Sequence, residues 1–92
     1  MIVLKYAFRV RGFDVTRLDL ELPVGSRPVL FAIQEGRPTL WFLLDQERRE
    51  KTSRSFVVIG TGHTFTGPVD FFASAMTPDG SLVLHCFEVS PT

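Results

Sequence analysis

At 92 residues the chain is long enough for one domain, and a second hydrophobic core is excluded. Ten basic residues balance ten acidic ones, so neither a nucleic-acid groove nor an anionic membrane surface is the expected partner, since both are bound through basic excess. The single cysteine, Cys86, excludes an internal disulfide and suits a reducing compartment, while nine Phe point to a core filled with aromatic rings.

Residues 1–11 alternate in the manner of a strand, with Ile2, Leu4, Tyr6, Phe8 and Val10 on one side. This start lacks a basic region followed by a long apolar core, so neither a signal peptide nor a bilayer-spanning stretch is expected. Gly12, Phe13 and Asp14 break the pattern. From Thr16 to Leu22 the alternation is cleaner: Leu18, Leu20 and Leu22 face inward, and Arg17, Asp19 and Glu21 face outward. Pro23-Val24-Gly25-Ser26 reads as a turn, because Pro presets φ and Gly frees it.

Pro28 to Asp45 is the hairpin on which the rest of the chain is arranged. Two apolar runs flank Glu35-Gly36, an acidic-Gly pair suited to a tight turn. A two-residue turn here sets Gln34 opposite Arg37, Ile33 opposite Pro38, Phe31 opposite Leu40, Leu30 opposite Trp41 and Val29 opposite Phe42. One face then carries Val29, Phe31, Ile33, Pro38, Leu40, Phe42 and Leu44. The other carries Leu30, Ala32, Thr39, Trp41 and Leu43. Both faces are apolar, whereas a hairpin at a sheet surface normally shows one polar face.

Residues 46–55 form the most polar stretch and read as a solvated loop. Phe56 to Thr61 reads as a buried strand, and 62–68 as a loop punctuated by Gly and Pro. Val69 to Met76 is a strand, Pro78-Asp79-Gly80 a turn, and Leu82 to Val89 the last strand. Seven short strands with turns about every ten residues predict an all-β fold, a single small antiparallel β-sandwich or barrel spanning residues 1–92. Pairing along the chain is the default order.

Gly60-Thr61-Gly62-His63 is the most unusual stretch. Its glycines can bring backbone N–H groups close to a ligand, with His63 as donor, acceptor or titrating group, which makes Thr61, Gly62 and His63 the ligand-binding candidates. Phosphate-cradling loops normally open a helix, and none follows, so a bend that lets the strand leave the sheet is the favoured reading. His63, His85 and Cys86 are the only soft metal-ligand candidates. His85 and Cys86 are adjacent in a strand and point to opposite faces, so no metal site and no cofactor is expected. No nucleophile elbow and no carboxylate pair in a cleft is visible, so no catalytic residue is assigned and an enzyme is not expected.

The apolar surplus is more informative. In a small sandwich only one face of each sheet points into the core, so Leu30, Trp41 and Leu43 mark an interface, with Arg48 and Arg49 in the charged segment at its margin. A closed barrel, or the first dozen residues folded over that face, is the competing account. The surplus favours a homo-oligomer.

Lys5-Tyr6, Leu20-Glu21-Leu22-Pro23, Gln34-Glu35-Gly36, Leu40-Trp41 and Leu44-Asp45 also fall in a familiar order. Arg54-Ser55-Phe56, Gly60-Thr61-Gly62-His63 and Leu84-His85-Cys86-Phe87-Glu88 follow it. Over nearly its whole length the chain resembles a family of small, uncharacterised proteins of tailed bacteriophages and prophages, chiefly of actinobacteria. The Gly-Thr-Gly-His and His-x-Phe-Glu motifs are the most specific parts. The resemblance implies a phage gene expressed in the cytoplasm of a bacterial host, and it brings no activity with it. The expected function is therefore a non-enzymatic interaction module that self-associates and modulates or adapts a host or phage protein. A small-ligand, nucleotide-like binder and a minor virion component are the alternatives.

Overall fold

The computed structural model describes residues 1–9 and 16–90. Seven antiparallel strands form two sheets that share one core. They are β1 (Ile2–Ala7), β2 (Thr16–Pro23), β3 (Arg27–Gln34), β4 (Arg37–Leu44), β5 (Lys51–Gly60), β6 (Val69–Met76) and β7 (Val83–Val89). The first sheet has the order β1-β4-β3 and the second β2-β5-β7-β6. The all-β, seven-strand expectation is met. The default of pairing along the chain is not: only β3-β4 and β6-β7 are hairpins, and β1-β4, β2-β5 and β5-β7 join strands distant in sequence. Among the described residues, no helix is long and apolar enough to cross a membrane.

The hairpin turn is the one its sequence specifies. Glu35 and Gly36 both take positive φ, 51° and 77°, as a two-residue turn matched to strand twist requires. The expected register holds from Gln34–Arg37 to Leu30–Trp41 and then shifts. Val29 does not face Phe42: Pro28 does, and Val29 is the extra residue of a bulge. Pro28 has no N–H to donate to the ladder, so a bulge beside it is a natural accommodation. The shift also turns Ser26 inward, where it is buried and its hydroxyl donates to the Pro23 carbonyl at 2.6 Å.

Phe8, Leu22, Phe31, Leu40, Phe42, Leu44, Phe56, Val58 and Cys86 make the core. Its rings meet edge to face, Phe42 against Phe56 at 5.3 Å and Tyr6 against Phe42 at 5.7 Å between centroids. A second bulge, at Phe72 in β6, lets Phe72 and Ala73 both pack against this core. At the lower end of the sandwich, Arg54 on β5 forks onto Glu88 on β7 through two 2.7 Å bonds, and its third nitrogen donates to the Ser26 carbonyl. The guanidinium also lies over the Phe56 ring, 5.6 Å from its centroid.

The polar stretch expected as a loop over 46–55 is a loop only at its start. Lys51–Ser55 belongs to β5 and pairs with β2 from Pro23 to Asp19. Ser55 donates to the Asp19 carboxylate at 2.5 Å, and Ser53 donates to Glu21 across the same pair of strands.

Val57 and Ile59 alternate with core residues and point to the outer face of the second sheet, yet both are buried. β5 and β6 each run antiparallel to β7, so they run parallel to each other on either side of it. Residues 61–68 must therefore travel the length of the sheet, from Gly60 to Val69. Within that segment Phe65 is half-buried. Its last residue, Pro68, accepts a hydrogen bond from the Ser90 N–H at 3.0 Å.

Candidate functional site

Two surfaces gather the residues singled out in the sequence. The first is the outer face of the three-stranded sheet. Register places Val3, Leu43 and Arg27 in one cross-strand row, Lys5, Trp41 and Leu30 in the next, and Ala7, Thr39 and Ala32 in a third. Leu30 is 50% exposed and Val3 53%, and Trp41 and Leu43 are half-buried. No strand of the described chain packs on this face. The first strand does not fold over the face: it extends the sheet by pairing with β4. Lys5 supplies partial cover, reaching across β4 so that its Nζ donates to Gln34 Oε1 on β3 at 2.8 Å, and its methylene stem lies on the sheet between them. Thr39, beneath that crossing, is buried.

Arg48 and Arg49 are exposed in the loop after β4, beyond the Leu43 end of the face. That loop is shaped by Asp45, whose carboxylate accepts the Glu47 N–H and whose carbonyl accepts the Arg48 N–H, both at 3.1 Å.

The second surface is a cavity of about 320 Å³ at one end of the sandwich, lined from both sheets. Ile33, Pro38, Val58 and Leu84 wall it, and Thr61, His63, Thr77 and Ser81 stand at its mouth. Thr61 and His63 are thus brought to one cavity, while Gly62 shapes the turn that carries them. That turn is hydrogen-bonded: the His63 N–H donates to the Gly60 carbonyl at 3.1 Å, and Gly62 takes φ 90°. Thr61 keeps its ladder bond, donating its N–H to the Val83 carbonyl at 3.3 Å.

One arrangement at this end was not legible in the sequence. The His85 ring on β7 sits between two hydroxyls, Thr61 Oγ1 at 2.9 Å from Nε2 and Ser74 Oγ at 2.7 Å from Nδ1. The Thr61 hydroxyl also reaches the Val83 carbonyl at 3.3 Å, and the tautomer of His85 sets which partner donates in each ring contact. Alternation alone places His85 on the outer face. Its partners follow only from the β5-β7-β6 order.

Cys86 lies on the opposite side of β7 and is fully buried. Burial, with a smaller contribution from the Glu88 charge, pushes its thiol up to about 12. Among the described residues no three His, Cys, Asp or Glu side chains converge to hold a metal ion.

Among the described residues, the architecture and these two surfaces define a small two-sheet β-protein with an apolar sheet face on which no described strand packs and a cavity at one end. The chain belongs to the family described as a domain of unknown function, DUF7352, whose model matches residues 1–92. No curated protein and no solved structure matches it.

Proposed function

We propose that the protein is a non-enzymatic interaction module that self-associates through the outer face of β1-β4-β3. As a phage-encoded protein in the host cytoplasm, it modulates or adapts a host or phage protein by occupying it. The observation that carries this reading is the apolar patch spread over two cross-strand rows, with Leu30 and Val3 about half exposed beside Trp41 and Leu43. Trp at the centre of an apolar patch with a cationic margin, here Lys5 and Arg27, is the usual composition of an association surface.

Trp41→Ala tests it. A hot-spot tryptophan costs ~2 kcal/mol or more on truncation, which is about a thirtyfold weaker association. Sedimentation of the variant against the wild type reads that change, with Phe71→Ala on the other sheet as the control expected to do nothing. An unchanged association constant for Trp41→Ala removes this face from the account.

A further inference from the structure

We propose that the end cavity binds a small, uncharged, largely apolar molecule held at its open end by hydroxyl and imidazole groups. This inference stands apart from self-association, which uses the other side of the fold.

The volume, about 320 Å³, sits at the lower end of the range typical of small-molecule sites. The walls decide the class of ligand. Ile33 and Pro38 come from the hairpin, and Val58 and Leu84 from the second sheet, so apolar groups from both layers face the same space. The mouth offers the side chains of Thr61, His63, Thr77 and Ser81, but the Thr77 and Ser81 hydroxyls donate to the Asp79 carboxylate behind them at 2.7 Å, so toward the cavity their oxygens accept. Among the described residues that line the cavity there is no Lys, Arg, Asp or Glu.

An anionic ligand needs cations or free backbone N–H groups. The Gly60–His63 turn carries backbone N–H groups at the mouth, but two of them are spent: Thr61 on the Val83 carbonyl and His63 on the Gly60 carbonyl. A phosphate would thus meet apolar walls and hydroxyls, which do not offset the loss of its hydration. A neutral ring or short hydrocarbon with one hydrogen-bond donor fits both parts of the site. Its apolar body displaces water from the walls, and its polar end reaches the hydroxyls at the mouth.

Titration of the ¹⁵N-labelled protein with indole, and separately with AMP, tests the proposal. Indole shifts the amides of Thr61, His63, Thr77 and Leu82 to Leu84 saturably, and binds at least about tenfold more tightly than AMP, a difference of ~1.4 kcal/mol. Thr16→Trp, which fills the cavity from the start of β2, abolishes the effect. Ser81→Trp does the same from the exposed rim and serves if Thr16→Trp does not fold. Four results overturn the proposal: no saturable shift with indole, shifts confined to the Trp41 face, AMP binding as tightly, or folded filled variants that bind indole as the wild type does. Self-association is read separately, from concentration-dependent shifts at the Trp41 face, so failure of either reading leaves the other intact.

Discussion

Asp79 shows how a single exposed side chain is bound into this fold. Its carboxylate accepts the Ser81 N–H at 3.0 Å and the hydroxyls of Thr77 and Ser81 at 2.7 Å each, closing the turn between β6 and β7. Those bonds, the Ser81 N–H first, hold it down at about 2. A carboxyl depressed by folding stabilises the turn above its ordinary value, and that contribution is lost as pH falls through about 2. A carboxyl NMR titration should therefore find the Asp79 midpoint near 2, and Ser81→Ala should move it upward; a midpoint in the ordinary carboxylate range contradicts the turn geometry. Cys86 shows the reverse. Its raised thiol favours the fold while neutral, and that contribution fades as pH climbs from the ordinary thiol range toward 12.

At the scale of elements, local rules were readable and non-local pairings were not. The alternation of Leu18, Leu20 and Leu22 and the Glu35-Gly36 turn are carried by adjacent residues, and both are in the structure as read. The register failed at Val29, because a bulge depends on what the partner strand and Pro28 can offer together. Lys51–Ser55 was misread because its charges and hydroxyls look solvated. They are polar because they form a cross-strand ladder with Asp19 and Glu21. The Thr61–His85–Ser74 arrangement was invisible because it requires β7 to lie between β5 and β6.

Two substitutions test the elements. Glu35 takes positive φ, where Asn is favoured, so Glu35→Asn should raise stability by about 0.5 kcal/mol in urea unfolding. A loss of stability would mean that the turn is held by something other than backbone preference. The Arg54–Glu88 fork joins β5 to β7, with side chains only 19% and 28% exposed. Glu88→Gln leaves the guanidinium half-paired in a partly dry site and should cost about 2 kcal/mol. A change within about 0.5 kcal/mol would place this pair with ordinary surface ion pairs, which contribute little.

The whole molecule differs on its two sides. On the outer face of the second sheet Val57 and Ile59 are buried and Phe71 at its β6 edge is exposed, whereas on the first sheet Leu30 and Val3 are both about half exposed. Leu4 adds to the imbalance. It alternates with core residues and pairs with Phe42, yet it is 40% exposed, because β1 is an edge strand with no strand beyond it. A chain of this size has limited apolar area with which to offset its conformational entropy, so leaving Leu30, Val3 and part of Trp41 in water forgoes stabilisation that association would recover. The apolar outer face carrying Leu30, Trp41 and Leu43 was legible because both hairpin faces are apolar. What the sequence did not reveal is that β1 would extend this sheet beside β4, since that pairing joins strands distant in the chain.

Light scattering on the purified wild-type protein across a wide concentration range is the most direct measurement of this account. It predicts a mass at least twice that of the 10.4 kDa chain, falling toward the single-chain value on dilution. A mass of one chain at every concentration would contradict it.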